Sequence, residues 1–302
     1  MTLLGLGTYR SRDAVTSASI AAAAGCPLID TAPVYGDGTH QASIAPVLAA
    51  HPHMRIATKV GHMTTNQAWA ALSSGVISEA DALRRHSITP DYVTHQVAMS
   101  RAELQRRSLD LVYLHSPEHR TGDREALHAG IRRAFFALEE ERDAGTLLGY
   151  GIATWSGFSE DMFTVPELLR LAREAAGGSR TGLSAIQLPV SMVEVEPLRE
   201  ALIQQGPIPA AEQAGLEVWG SAPLHGGDLI PHINDRLADY VSSGSTGAQA
   251  ALKVAASTPG LTGLLVSTTQ AGHWYEAADV AASHPLSPLR LKEICDLLAS
   301  VP

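Results

Sequence analysis

Cysteine, lysine and phenylalanine are scarce in this 302-residue chain, with only two cysteines and four phenylalanines. Cys26 and Cys295 stand far apart with no C-x-x-C spacing, which excludes a disulfide framework and a zinc knuckle and reads both as buried, inert thiols. Lysine occurs only as Lys59, Lys253 and Lys292. The arginines form no basic stripe with interleaved aromatics, and the formal net charge is −9, so a nucleic-acid partner is not expected. No apolar run approaches the roughly 20 residues of a membrane span; the most apolar stretch, Ala14 to Leu28, is broken by Ser, Thr, Gly and Pro. No membrane role is expected. The start, Met1-Thr-Leu-Leu-Gly5-Leu-Gly7, has neither a basic segment nor a long apolar run with a cleavage site, so a cytoplasmic protein is expected. The first glycines run Gly5-Leu-Gly7-Thr-Tyr-Arg10 and lack the third glycine of a dinucleotide fingerprint, which argues against an open, doubly wound sheet.

What is present is alternation. With 45% hydrophobic residues the chain can bury a large core, and α/β barrels use about 250 residues as one domain. Short β-branched or apolar runs predict strands at Leu3 to Thr8, Pro27 to Thr31, Arg55 to Val60, Asp110 to His115, Leu148 to Thr154, Ala185 to Pro189, Leu216 to Ser221 and Gly263 to Ser267. Helical patterns fall between them, the longest at Pro90 to Arg107 and Arg124 to Ala144, with others including Pro197 to Gln205 and Ala271 to Ala282. Gly25, Gly145 and Gly215 sit where left-handed helix caps are expected, and Pro90 and Pro166 at first-turn positions. Eight strand-helix units without a distinct edge strand predict a closed (β/α)8 TIM barrel in a single domain spanning 1–302. Two stretches exceed the repeat and are expected as long loops, 62–87 and 224–246, the second with a short helix near Ile233 to Tyr240.

Catalytic groups in such barrels stand at the C-terminal ends of strands. Strand two ends in Asp30-Thr-Ala-Pro-Val-Tyr35-Gly, strand three in Thr58-Lys59-Val-Gly61, and strand four in Leu-Val-Tyr-Leu-His115-Ser-Pro. A carboxylate, an ammonium and an imidazole thus share one rim, with a phenol close behind. They suit carbonyl reduction: hydride arriving at the carbon builds negative charge on the oxygen, and an acid must deliver a proton there. Tyr35 is the candidate acid, Lys59 the cation that eases its proton transfer, Asp30 the anchor of Lys59, and His115 the donor that orients the oxygen. Singly, each has an ordinary structural explanation, a turn-capping Asp or a satisfied core His; three consecutive strand ends make coincidence a poor account.

These three segments, with Ser108-Leu-Asp110 opening the last, resemble the signatures of the aldo-keto reductases, and the likeness extends to Leu4-Gly5-Leu6-Gly7-Thr8-Tyr9, Gln187 and Ser221-Ala222-Pro223-Leu224-His-Gly226. The resemblance implies the barrel fold, the catalytic set Asp30, Tyr35, Lys59 and His115, a small-molecule carbonyl substrate and NADPH as cofactor. It places the dinucleotide against Gly7, Thr8, Gln187, Ser221, Ala222, Pro223, Leu224 and Gly226, and against Ser267, Thr268, Thr269, His273 and Glu276 after strand eight. Two departures stand out. Strand five ends Ala153-Thr154-Trp155 where the family usually has Ser-Asn, leaving Thr154 to remake a nicotinamide contact. The segment Ser267 to His273 lacks the Arg or Lys that commonly grips the 2′-phosphate, which narrows the preference for NADPH and admits NADH.

Rival readings follow from the same residues. His115-Ser-Pro-Glu118-His119 satisfies a zinc-protease string, but Pro117 would break the helix that string needs, and no metal is expected. His51-Pro-His53 reads as a solvated turn on the opposite face. The altered cofactor positions leave a noncatalytic or regulatory barrel as the alternative function. Trp69, Trp155 and His225 are candidate pocket walls, suited to a bulky or sugar-like carbonyl. Oligomeric state is not encoded in any recognisable pattern.

Overall fold

A computed structural model describes residues 1–299. Eight parallel strands close in sequence order into a barrel: β1 (Leu3–Gly7), β2 (Leu28–Asp30), β3 (Arg55–Val60), β4 (Leu109–His115), β5 (Leu147–Ala153), β6 (Leu183–Pro189), β7 (Glu217–Ser221) and β8 (Gly263–Val266). All eight predicted strands are present, with ends shifted by at most two residues. By backbone contacts the chain divides into two compact units, Met1–Leu28 with the chain from Gln187 onward, and Ile29–Ile186.

In the unit Ile29–Ile186, β3, β4 and β5 pair in parallel, with Lys59 opposite Tyr113 and Tyr113 opposite Gly151. The glycine is needed there: a Cβ on Gly151 would lie 2.2 Å from the Ala185 carbonyl and 2.9 Å from the Tyr113 ring. Helix Arg124–Asp143 packs on β5 and on helix Val165–Ala176. It carries a buried carboxylate, Glu139, which accepts bonds of 2.7 Å from the Tyr150 hydroxyl, the Gly182 amide and the Arg142 guanidinium. With three donors the charge is not left bare in the interior.

In the other unit, β8 pairs with β1 and β7, and Trp219 fills the space that two glycines leave. A Cβ on Gly5 or on Gly263 would come within 2.8 or 2.5 Å of the Trp219 ring. One large side chain against two absent ones is how this part of the core reaches close packing. The indole N–H donates to Glu217 at 2.8 Å, so the buried ring loses no polar partner.

The helix ends follow local chemistry. Gly25, Gly145 and Gly215 adopt φ of 72°, 74° and 75°, as their positions predict. Pro90 lies in the first turn of helix Pro90–Glu103 and Pro166 in that of Val165–Ala176. The expectation of a long loop over 62–87 needs correction, because it holds helices Thr65–Ser73 and Glu79–Arg84. Thr64 starts the first with a reciprocal capping box to Gln67, and the Ser78 hydroxyl caps the second. The 224–246 stretch does contain its short helix, at Asp235–Val241. The pattern read as Pro197 to Gln205 is helix Glu196–Leu202, ending three residues earlier, and two further helices, Pro207–Gln213 and Pro288–Ala299, lie outside the predicted patterns.

Candidate active site

Asp30 closes β2, Lys59 is the penultimate residue of β3 and His115 closes β4, so one unit carries all three at strand ends. The Lys59 ammonium is buried and donates to Asp30 Oδ1 at 2.5 Å and to the Thr31 carbonyl at 2.9 Å. Burial pulls its pKa below the ordinary lysine value, and the Asp30 carboxylate opposes that pull. Tyr35 opens a short 3₁₀ turn, Tyr35–Gly38, and its ring centroid lies 4.9 Å from Lys59 Nζ. Gly36 allows the turn: at φ 59° a Cβ would strike the His40 ring at 2.0 Å. The rings of Tyr35 and His115 stand edge to face with centroids 6.1 Å apart. The four residues read from sequence as one constellation are therefore brought together.

His115 is set by its surroundings. Its carbonyl accepts the His86 Nε2–H at 2.9 Å, and Ser116 after it adopts φ 46°, a costly left-handed conformation held by its amide bond of 2.7 Å to the Ala153 carbonyl. A Cβ on Gly61, in the Thr58-Lys59-Val-Gly61 segment, would approach that His115 carbonyl to 2.6 Å and His86 Nε2 to 2.9 Å. Glycine there lets β3 end against the residue that holds the imidazole. Burial, followed by the Lys59 charge and the neighbouring imidazoles, keeps the His115 pKa well below its ordinary 6.5. The ring is thus a neutral imidazole at pH 7, able to donate one hydrogen bond.

Three further histidines surround it. The His62 centroid lies 4.8 Å from that of His115, 4.7 Å from His86 and 5.3 Å from His119. His119 Nδ1 and His62 Nε2 share a hydrogen bond of 3.3 Å. His62 and His86 face each other in an isolated antiparallel bridge. Sequence reading passed over this cluster, although one signal was available: segments following adjacent barrel strands must meet at one rim. The His115-to-His119 string does not form a zinc-protease helix, since His115 ends a strand and Pro117–Arg120 is a 3₁₀ turn. Among the described residues no group of three or more His, Cys, Asp or Glu is placed to hold a metal.

The strand-five substitution has its own structure. Glu118, named from the sequence only within the zinc-protease string, accepts at Oε1 from the Thr154 hydroxyl at 2.6 Å and from the amides of Trp155 and Ser156 at 3.1 and 3.3 Å. The Thr154 oxygen in turn accepts the Gly157 amide at 2.8 Å. Its one proton is committed, which leaves it a single lone pair for a ligand. Trp69 and Trp155 are 59% and 47% exposed, so neither is a buried pocket wall.

The other unit carries the remaining dinucleotide candidates. Gly7 ends β1, and Thr8 and Gln187 are buried. Ser221 ends β7; Ala222 follows at φ 51°, then Pro223, Leu224 and Gly226 in a tight turn. The Gly226 position is pressed by Arg10, whose guanidinium pairs with Asp228 at 2.8 Å and joins the segments after β1 and β7. Ser267, Thr269, His273 and Glu276 are exposed, and the Thr268 hydroxyl accepts the Gln270 amide at 3.1 Å, just ahead of helix Ala271–Ala282. Glu276 lines a shallow cleft with Ser243, Lys253 and Asp279. Hydroxyls beside a helix start whose first amides have no intrahelical partner fit a phosphate. The missing cation is what fits a 2′-phosphate less well.

Fold and site together define an oxidoreductase barrel, and the sequence model of the Aldo/keto reductase family matches residues 3–298. The chain belongs to that family. Its fold is similar to that of the glycerol dehydrogenase of Gluconobacter oxydans, with a TM-score of 0.69 and 19% identity over 98% of this chain and 91% of that one. No curated protein sequence matches the chain significantly. No helix among the described residues is long and apolar enough to cross a membrane.

Proposed function

We propose that the whole chain works as one aldo-keto reductase barrel that reduces an aldehyde or ketone to an alcohol with NADPH, Tyr35 serving as the general acid. The observation that carries this reading is the convergence of Tyr35, the Lys59–Asp30 pair and neutral His115, with Lys59 Nζ 4.9 Å from the Tyr35 ring. Bound nicotinamide would supply the hydride. The protein's part is the proton. The Tyr35 hydroxyl donates to the carbonyl oxygen as charge develops there, and the phenolate left behind is stabilised by the adjacent Lys59 ammonium. Asp30 keeps that ammonium in place and charged despite burial. The His115 N–H orients the same oxygen, and because the ring is neutral it does not compete as the acid. Ser267, Thr268 and Thr269 with His273 and the start of helix Ala271–Ala282 are assigned to the adenosine phosphate; Glu276, in its cleft, is assigned to the adenosine end.

Expected in solution is quenching or enhancement of NADPH fluorescence on binding, followed by oxidation of NADPH with a panel of small aldehydes and ketones. Binding without turnover of any carbonyl would favour a noncatalytic, cofactor-sensing barrel. The commitment of the Thr154 hydroxyl to Glu118 is the observation on that side.

A further inference from the structure

Tyr35 opens a stretch of backbone that is strained. Gly36, Asp37 and Gly38 follow it at φ of 59°, 52° and 89°, three left-handed residues in succession, one of them not glycine. Such conformations persist where the surroundings over-determine them. Within the segment, the Tyr35 amide donates to the Ala32 carbonyl at 3.1 Å, and the Thr39 amide and hydroxyl donate to the Gly36 carbonyl at 3.2 and 2.7 Å. From outside it, Gln67 Nε2 donates to the Pro33 carbonyl at 2.9 Å, two residues before Tyr35. The same amide lies beside Gly38, where a Cβ would stand 3.3 Å from Gln67 Nε2. One side chain thus bears on both ends of the turn that carries the phenol.

Gln67 makes a second bond, and the two need different atoms. As the third residue of helix Thr65–Ser73 it completes the capping box, its Oε1 accepting the Thr64 amide at 2.9 Å. A backbone N–H only donates and a carbonyl only accepts, so a single orientation of the side-chain amide serves both partners. The cap by itself does not call for an amide. Helix Val165–Ala176 opens with the same box, and there the third residue is Glu167, whose side chain accepts the Thr164 amide at 2.8 Å. What glutamine adds at position 67 is the donor to Pro33.

We infer that Gln67 is a positioning residue for the proton donor: its amide pins the Pro33 carbonyl and thereby sets where the Tyr35 hydroxyl stands against the reacting oxygen. The inference rests on the reading of Tyr35 as the general acid. The other end of the same stretch of chain acts alike on the imidazole, since His86 Nε2 donates to the His115 carbonyl at 2.9 Å. The two short helices between β3 and helix Pro90–Glu103 are in this way tied to the segments that carry Tyr35 and His115.

The test uses the full-length protein, NADPH and a carbonyl compound that the wild type reduces. Gln67→Glu keeps the acceptor for the Thr64 amide and exchanges the donor for an oxygen facing the Pro33 carbonyl. Melting should be unchanged, the Kd for NADPH should stay within about twofold, and kcat should fall about tenfold or more, as for a misplaced reacting group. Thr64→Ala weakens the same cap and spares the bond to Pro33, so it should melt lower and keep kcat within about twofold. That variant carries the comparison even if Gln67→Glu loses some stability. In a Tyr35→Phe background, Gln67→Glu should cost less than about twofold more, because a residue acting through the phenol has nothing left to position. Wild-type kcat in Gln67→Glu, an equal loss in both backgrounds, or a loss in Thr64→Ala as large as in Gln67→Glu overturns the inference and leaves Tyr35 as the acid. Undiminished kcat in Tyr35→Phe, or no turnover of any carbonyl by the wild type, overturns the general-acid reading and the inference with it.

Discussion

Lys59 and Asp30 meet at 2.5 Å inside the protein, both nearly inaccessible to water, at the ends of neighbouring strands β3 and β2. Two charges in such a place are worth little as a stabilising pair and a great deal once separated. Lys59→Met should therefore lower stability by about 3–5 kcal/mol, by stranding the Asp30 carboxylate. Pairing it with Asp30→Leu should restore most of the denaturant midpoint without restoring turnover. Equal stability of the single and double variants would show that the two charges are not coupled.

Tyr35→Phe removes only the hydroxyl. It should cut kcat by roughly 10²–10⁴, the usual contribution of a general acid. The dissociation constant for NADPH should stay within about twofold, since the phenol is assigned to the proton and not to the dinucleotide. Fluorescence titration and steady-state rates on the same preparation check both statements, and undiminished kcat would remove Tyr35 from its role.

The histidine cluster makes stability depend on pH. His62 is pushed down to about 4, and His86 and His115 also lie below their ordinary 6.5, burial being the first cause in each. Unfolded, all three would take up protons near pH 6.5. Between there and their folded values the unfolded chain binds more protons, so stability is complete above about pH 6.5 and falls as the solution is acidified towards 4. His62 alone should contribute on the order of 2–3 kcal/mol to that fall. Chemical denaturation from pH 7.5 to 4.5 measures it. His62→Phe should flatten the curve, and a wild-type midpoint that rises with acid would contradict it.

Gly61→Ala places a methyl group where the His115 carbonyl and the His86 ring already meet, at 2.6 and 2.9 Å. Neither backbone nor a hydrogen-bonded imidazole can yield cheaply, so the His86 bond is expected to break at a cost of about 1–3 kcal/mol. Activity should fall further than stability suggests, because the displaced segment holds His115. A variant with wild-type melting and wild-type rate would show that the strand end relaxes freely.

The exposed hydroxyls after β8 leave the proposed 2′-phosphate site without a cation. Wild-type preference for NADPH over NADH in kcat/KM should be modest. Thr269→Arg should raise it by about ten- to a hundredfold, as expected for one charge-assisted bond worth about 1.5–3 kcal/mol. No change on adding the arginine would place the phosphate elsewhere.

Much of this molecule follows from local order along the chain. Runs such as Arg55–Val60 read as strands because their residues are apolar or β-branched and their neighbours are not, and Gly25, Gly145 and Gly215 mark helix ends because a left-handed turn favours a residue without a Cβ. The proposed catalytic set was legible for the same reason: parallel strands in sequence order bring consecutive strand ends to one rim, so Asp30, Lys59 and His115 could be placed together from the sequence. The helices within 62–87 were harder, since Thr65–Ser73 and Glu79–Arg84 are short and owe their ends to side-chain caps more than to a long periodic face. Tertiary structure alone decided the rest. That His62, His86 and His119 crowd around His115, that Glu118 claims the Thr154 proton, and that His62, His86 and His115 are held below the ordinary histidine pKa are outcomes of burial and of contacts between residues distant in sequence. Periodicity carries which face a residue occupies, whereas desolvation and partner choice arise only once the chain has closed around them.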